Sequence, residues 1–355
     1  MAKAMDASSQ APIPASVREL PPADRPFRVL CLSGGGYLGL FSARILARME
    51  AVSRRPIVED FDFICGTSVG AVTAMALSTG VPAAEVEAAL IRNGPLVFAR
   101  RSSPWFTGWA MSFVNNLFRP RYGSGPLRQS FEELLGAETR LADARCKLAI
   151  PTVNMTTGQI EIFKTPHNRD WSNHGAVRMA ELGLAAAAAP TFFPLMALND
   201  SLYVDGGLFA NAPDLVGLHE AEYYLKVPTA RIRMLSVGTT TSSFSLPHRF
   251  GRDYGIVRWL RGARLWSTIL AAQQQMTHGF LLHHLGPNYL RIDSVRAPGQ
   301  ELDLGFDRPT EAATHTTLSL ADFAFEHAMK HEGLGDFFAV APPRDDVTGA
   351  AAPRP

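Results

Sequence analysis

The chain has few cysteines, little net charge and no long apolar run, and each scarcity excludes a class of protein. Cysteine occurs at only three of 355 positions, Cys31, Cys65 and Cys146, a sparse and odd number that argues against a disulfide framework and suits a reducing compartment. A net charge of +1 gives no overall field to attract a nucleic acid polymer. The apolar run over 69–81 is too short to span a bilayer, and the N-terminus lacks the apolar block of a signal peptide. We therefore expect a cytoplasmic protein.

Strand and helix signals alternate through the middle of the chain, which favours an α/β fold. Apolar runs predict strands over 27–32, 61–65, 147–154, 159–163, 201–204, 231–237 and 288–292. Apolar spacing predicts helices over 37–50, 68–79, 83–98, 126–135, 176–189, 213–226, 255–284 and 311–331. We expect one domain over 26–340, a sheet with helices on both faces, between flexible proline-rich ends over 1–25 and 341–355.

Two glycine-rich turns, each after an apolar strand, mark the candidate site. Gly66-Thr67-Ser68-Val69-Gly70 has the G-x-S-x-G form of a nucleophile elbow, in which a tight turn exposes the serine hydroxyl and only glycine tolerates the crowded flanking positions. Gly34-Gly35-Gly36-Tyr37-Leu38-Gly39 offers backbone N–H groups at a helix start, which suit an anion or an oxyanion. A serine nucleophile beside an anion hole indicates acyl transfer.

The first turn also fits the G-x-G-x-x-G pattern of dinucleotide-binding loops. Such a loop expects an acidic residue about 20 positions later, at the end of the second strand, to hold a ribose. Glu59 and Asp60 are at that distance, but they precede the second predicted strand and so lie at its wrong end. A nucleotide-binding sensor module without hydrolase activity stays as an alternative, which a serine-reactive fluorophosphonate probe would separate from a hydrolase.

A serine hydroxyl needs a base within hydrogen-bond reach, and the sequence offers two kinds. A Ser-His-Asp esterase would use a histidine late in the chain, and the candidates are His278, His283, His284 and His315. The other base is Asp205, which ends a short predicted strand and precedes Gly206 and Gly207, so that its carboxylate can lie in a tight turn. The late histidines are not spaced to place three ligands on one helix face, so we expect no metal site.

Four motifs occur in the order seen in patatin-like phospholipases, and the chain resembles that family over roughly residues 27–240. They are Gly34–Gly39, Gly66–Gly70, Ala-Ala-Pro-Thr-Phe-Phe-Pro over 188–194, and Asp205-Gly206-Gly207. The resemblance implies a three-layer α/β/α sandwich with a central, mostly parallel sheet. It also implies a serine acyl hydrolase of phospholipase A type, which cleaves acyl esters of membrane phospholipids or lysophospholipids.

The resemblance also implies a role for each motif residue. Ser68 would be the nucleophile, and Asp205 would be the base that takes its proton and later activates water. Backbone N–H groups of the first turn would form the oxyanion hole, with Gly34, Gly35, Gly36 and Gly39 as its residues. Four further glycines would support the two other turns, namely Gly66, Gly70, Gly206 and Gly207. This chemistry requires no cofactor.

The later half of the chain, 232–284, is similar to bacterial patatin-like effectors that cyclic dinucleotides switch on in anti-phage defence. That likeness implies a cyclic dinucleotide activator and action at the inner face of the cell membrane. The arginines at 252, 258, 261 and 264 either hold the activator's phosphates or form a solvated helix face. The aromatic and basic segment 99–125 is either a membrane-contacting lid or core beneath a loop. Oligomeric state, acyl position and headgroup preference stay open.

Overall fold

One mixed sheet of eight strands runs through the part of the chain that the computed structural model describes, residues 19–99, 119–167, 174–241, 243–246, 248–260, 264–297 and 299–338. The strands are β1 (Phe27–Leu32), β2 (Phe63–Gly66), β3 (Lys147–Asn154), β4 (Gln159–Lys164), β5 (Met196–Leu198), β6 (Ser201–Asp205), β7 (Ile232–Val237) and β8 (Tyr289–Ile292). Their order is β5-β6-β3-β2-β1-β7-β8, with β4 also paired to β3. The pairs from β3 across to β8 are parallel, whereas β4, β5 and β6 add antiparallel pairs.

Twelve α-helices of the described residues surround this sheet. They are α1 (Gly39–Ser53), α2 (Ile57–Asp60), α3 (Val69–Thr79), α4 (Ala83–Val97), α5 (Ser124–Leu135), α6 (Met179–Ala186), α7 (Gly207–Ala210), α8 (Asp214–His219), α9 (Ile256–Leu260), α10 (Arg264–Leu285), α11 (Glu311–Ala328) and α12 (Leu334–Phe337). A π-helical turn, Glu220–Tyr224, continues α8. No helix of the described ranges is both long enough and apolar enough to cross a bilayer.

The sheet separates two apolar layers, because side chains alternate between its faces along each strand. In β1, Leu30 and Leu32 belong to the larger core, with helices α1, α3, α4, α5, α6 and α11. Val29 and Cys31 belong to the smaller core on the other face, with α8 and α10. The alternation confirms the predicted α/β/α sandwich with a mostly parallel sheet. Cys31 is buried and forms no disulfide.

Strand β3 brings the ends of two other strands together. Its edge facing β4 is paired from Ala149 to Asn154, so its other neighbours must share the opposite edge. On that edge β2 pairs in parallel up to Ala149, and β6 pairs antiparallel from Asn154 back to Thr152. Strands β2 and β6 therefore run towards each other along this edge, and their C-terminal ends meet near the middle of β3. The residues that follow β2 meet the residues that follow β6 at this point.

The predicted elements agree with the structure apart from a few short pieces. The three-residue strand β5 and the four-residue helices α2, α7 and α12 were not predicted. The predicted helix 255–284 consists of α9 and α10 in the described residues, with 261–263 outside them.

The predicted flexible end 1–25 stays a prediction, although its residues Glu19 and Pro22 contact the rest of the protein. Lys147 donates to the Glu19 carbonyl at 2.7 Å, and Arg231 donates to the Pro22 carbonyl at 2.7 Å. These contacts tie the segment to the starts of β3 and β7. Residues 1–18 and the predicted tail 341–355 lie outside the described residues, as does most of the aromatic segment 99–125, whose lid and core interpretations stay predictions.

Candidate active site

Ser68 lies in a strained turn between β2 and α3. Its φ of +56° and ψ of −125° form a conformation that L-residues rarely adopt, which is typical of a nucleophile elbow. A Cβ at Gly66 would lie 2.2 Å from the Gly70 carbonyl oxygen, and a Cβ at Gly70 would lie 2.4 Å from the Leu32 carbonyl oxygen. The two glycines of the motif are therefore required by close backbone packing, as the sequence predicts.

Asp205 ends β6, and its side chain is only 2% exposed. The Gly207 N–H donates to its Oδ1 at 2.7 Å. A Cβ at Gly206 would lie 2.3 Å from the Pro151 carbonyl oxygen, so the turn after Asp205 packs directly on the backbone of β3. Thr67 Oγ1 donates to the Ala210 carbonyl at 2.6 Å, which ties the elbow to the helix that follows this turn.

The structure brings Ser68 and Asp205 together. Burial raises the pKa of the Asp205 carboxyl to about 6, although hydrogen bonds from the Gly207 N–H and from the Ser68 side chain favour the ionised form. Desolvation is the larger effect because the carboxylate is removed from water without a cation beside it. A carboxyl with this pKa is largely ionised at neutral pH and can still accept a proton.

The glycines of the first turn differ in whether their backbone N–H groups are already donated within the protein. Gly34 N–H donates to the Asn211 carbonyl at 2.9 Å, and Gly39 N–H donates to the Gly36 carbonyl at the start of α1. Gly35 and Gly36 line the same cavity as Ser68, and within the described ranges no carbonyl accepts their N–H groups. Of the four glycines predicted for the oxyanion hole, Gly34 and Gly39 already donate their N–H groups within the protein. The oxyanion hole stays a prediction, for which Gly35 and Gly36 have N–H groups available.

Gly34 and Gly39 have structural roles instead. A Cβ at Gly34 would lie 2.5 Å from Asn211 Oδ1, and a Cβ at Gly39 would lie 2.5 Å from Val69 Cγ2. The absence of side chains therefore lets the glycine turn approach both the elbow and the segment after Asp205.

Several polar residues that the sequence did not single out hold the glycine turn. Thr239 Oγ1 donates to the Gly34 carbonyl at 2.7 Å, and Asn211 Nδ2 donates to the same oxygen at 3.3 Å. Gln274 of α10 donates to Thr241 Oγ1 at 2.9 Å, and Thr241 contacts Thr239. The only sequence signal was a polar run, 239–241, directly after a buried strand.

Helix α10 also contacts the segment that follows Asp205. Gln273 Nε2 donates to the Leu208 carbonyl at 2.5 Å, and the Asn211 N–H donates to Gln273 Oε1 at 3.3 Å. The neighbouring Gln274 accepts from Arg291 of β8 at 3.0 Å. Of two adjacent glutamines of one helix, Gln273 therefore contacts the segment after Asp205, and Gln274 contacts the residues that support the glycine turn.

The site opens into an apolar cavity. Ser68 and Asp205 are among the residues that line it. The rest of the lining comes mainly from aliphatic and aromatic side chains, which include Leu90, Val97, Phe98, Phe131, Phe192, Phe193, Trp266 and Leu270. Phe192 and Phe193 belong to the predicted motif over 188–194. A lining of this kind suits an acyl chain with its ester beside Ser68 and Asp205.

The residues of the alternative interpretations lie elsewhere. Among the described lining residues of the cavity there is no histidine. Glu59 and Asp60 belong to α2, before β2, and so lie at the opposite end of that strand from Ser68. Arg258 and Arg264 donate to backbone carbonyls at Asp253 and Arg258, while Arg261 lies outside the described residues. The described ranges hold no group of three or more His, Cys, Asp or Glu side chains able to bind a metal.

Comparison with known proteins identifies the family of the chain. The family described as patatin-like phospholipase matches residues 30–215, a range that contains both glycine turns and Asp205. A cGAMP-activated phospholipase of Pseudomonas aeruginosa is 34% identical over 85% of this chain and 89% of its own length. A protein of the same name from Vibrio cholerae is 31% identical over 88% of this chain and 94% of its own length. Another, from Escherichia coli, is 34% identical over 82% of this chain and 86% of its own length.

Proposed function

Because the chain belongs to the patatin-like phospholipase family, we propose that it is a serine acyl hydrolase that cleaves acyl esters of membrane phospholipids or lysophospholipids through a Ser68–Asp205 dyad. The observation that carries the proposal is the contact between the strained serine and a buried carboxylate, both in the lining of one apolar cavity. The relatives' names supply the substrate class.

In the first half of the reaction, the Asp205 carboxylate takes the hydroxyl proton of Ser68 while Oγ attacks the ester carbonyl carbon. The carbonyl π electrons move to the oxygen, which the N–H groups of Gly35 and Gly36 stabilise. The tetrahedral intermediate then collapses and expels the alcohol oxygen of the lipid, which takes the proton from Asp205. The acyl chain stays on Ser68 as an ester.

In the second half, Asp205 takes a proton from water, and the resulting hydroxide attacks the acyl carbon. Collapse of this intermediate releases the fatty acid, and Ser68 Oγ recovers its proton from Asp205. A pKa of about 6 suits both halves, because the carboxyl must accept and return a proton at neutral pH. No metal or cofactor is needed for either half.

We further propose that a cyclic dinucleotide switches the enzyme on and that the active form degrades the host membrane in anti-phage defence. Support comes from three relatives named as cGAMP-activated phospholipases. A phospholipase inside a cell would otherwise attack that cell's own membrane. Helix α10 is suited to couple a switch to catalysis. Gln273 contacts the segment that follows Asp205, and Gln274 contacts Thr241, which reaches the glycine turn through Thr239.

Lipid product analysis tests the proposal. Purified protein is incubated with phospholipid vesicles, with and without a panel of cyclic dinucleotides, and the fatty acids and lysolipids released are measured by mass spectrometry. We expect release that one or more of the dinucleotides stimulates and that Ser68→Ala abolishes. Dinucleotide binding without any lipid product under every condition would instead support the nucleotide-binding sensor. Constitutive release would contradict the switch and leave the hydrolase intact.

A further inference from the structure

Helix α10 has an apolar face that no described residue covers. From 265 to 282 it contains no Asp, Glu, Lys or Arg. Leu270, Gln274 and Leu281 are buried against the protein. On the opposite side, Met276 is 66% exposed and Phe280 is 52% exposed. A helix that is apolar on both faces is expected to be covered on both, so the outer face indicates a partner.

Helix α9, which contacts α10, adds further exposed apolar side chains. Ile256 is 76% exposed, and Val257 beside it is also exposed. The start of α10 adds the exposed side chain of Leu265. We refer to the exposed residues Ile256, Val257, Leu265, Met276 and Phe280 as the outer apolar face. Its side chains lie on two consecutive helices that contact each other.

Basic side chains accompany the outer apolar face. The described residues from 248 to 264 contain four arginines, at 249, 252, 258 and 264, and one acidic residue, Asp253. The guanidinium groups of Arg258 and Arg264 lie over the Tyr254 ring, at 5.6 and 5.8 Å from its centre. Guanidinium groups beside aromatic and aliphatic side chains suit the headgroup layer of an anionic membrane.

Helix α10 carries both part of the outer apolar face and part of the cavity lining. Trp266 and Leu270 of α10 line the cavity, and Trp266 is partly exposed, so this helix reaches from the cavity to the surface. In two other segments an exposed leucine also lies close in sequence to a residue that lines the cavity. Leu96 precedes Val97, and Leu195 lies two positions after Phe193.

We propose that the outer apolar face and its arginines form a docking surface for an anionic phospholipid bilayer, which holds the mouth of the cavity against the lipid. The inference rests on the proposed lipid substrate and deepens it. Anionic headgroups complement the arginines, and the acyl region complements the apolar side chains. A second copy of the same face would supply apolar side chains but only one carboxylate, Asp253, against four guanidinium groups. The bilayer is therefore the better partner.

Vesicle binding without turnover tests this proposal. In the Ser68→Ala background, Met276→Glu combined with Phe280→Glu is compared with the parent by sedimentation with vesicles of phosphatidylcholine and phosphatidylglycerol. We expect binding to fall at least ~10-fold, since each side chain loses the gain from burial in the acyl region. The matched control is Phe323→Glu on α11, where the side chain is 70% exposed, and it should bind as the parent does.

A second variant tests the charges. Arg249→Gln combined with Arg252→Gln should weaken binding to phosphatidylglycerol vesicles and leave binding to pure phosphatidylcholine vesicles unchanged. Thermal unfolding of each variant checks its fold, and the arginine variant keeps the test decisive if the glutamates disturb α10. Because Ser68→Ala removes turnover, a failure here is separate from a failure of the dyad.

Three results would overturn the docking surface. The first is parent-like binding by both variants. The second is an equal loss in Phe323→Glu. The third is light scattering that shows a dimer dissociated by the Met276 and Phe280 substitutions while vesicle binding persists, which would assign the outer apolar face to a second copy of the chain.

Discussion

Replacing Asp205 with Asn should stabilise the protein at neutral pH while removing its catalysis. Burial raises the pKa of the Asp205 carboxyl from its ordinary value of 3.8 to about 6. A shift of about two pKa units corresponds to ~3 kcal/mol of penalty for the ionised carboxylate in the folded state. Asparagine has nearly the same shape, and its Oδ1 can still accept the Gly207 N–H, but it carries no charge.

The sign of the pH dependence follows from the two pKa values. Between about pH 4 and pH 6 the folded protein holds a proton on Asp205 that the unfolded chain has lost, so stability falls as pH rises through this window. Above it the penalty is constant. The advantage of Asp205→Asn in the free energy of unfolding should therefore be ~2 kcal/mol larger at pH 8 than at pH 4.5.

Urea unfolding of the two proteins at pH 4.5 and pH 8 measures this difference. Glu326→Gln provides the control, since it removes an exposed carboxylate of α11 and should change stability little at either pH. An Asp205→Asn protein whose advantage is independent of pH, or decreases towards pH 8, would refute the reasoning that burial of the charge destabilises the fold.

Three further predictions concern the reaction and the turns. The kcat/KM for a short soluble ester should fall about tenfold per pH unit below pH 6, because protonated Asp205 cannot take the Ser68 proton; a flat profile down to pH 5 would contradict this. Ser68→Gly should abolish hydrolysis and raise the free energy of unfolding by ~1 kcal/mol, because glycine relieves the backbone strain. In a urea titration this increase should be larger than the change caused by Ser68→Ala. Gly36→Ala should lower turnover by ~10²-fold, because its Cβ would lie 2.4 Å from the Phe306 carbonyl oxygen and the backbone there has a φ of +57°. The control is Gly125→Ala, which has open space around it and should be as active as the parent.

The sequence predicts those parts of the fold that depend on neighbouring residues. Strand β1 alternates between two cores, and the elbow at Ser68 needs glycine two positions away on either side, so both leave a local pattern. Strand β5 is missed because three residues are too few to show a period. The family resemblance, and not spacing, paired Ser68 with Asp205, which are distant in the sequence.

The support of the glycine turn could not be predicted, because its residues come from separate elements. Thr239 follows β7, Gln274 lies in α10 and Arg291 lies in β8, and only the parallel packing of β7 between β1 and β8 brings them together. The same holds for the N–H groups of the glycine turn. A glycine pattern does not indicate which N–H groups are already donated, and Asn211 takes that of Gly34.

The rate and site of fluorophosphonate labelling test most directly whether Asp205 activates Ser68. Intact mass and peptide mapping of the wild-type protein should give one adduct, on Ser68, and Asp205→Asn should label at least ~10²-fold more slowly although its serine is intact. An adduct on another serine, or labelling of Asp205→Asn at the wild-type rate, would contradict the dyad.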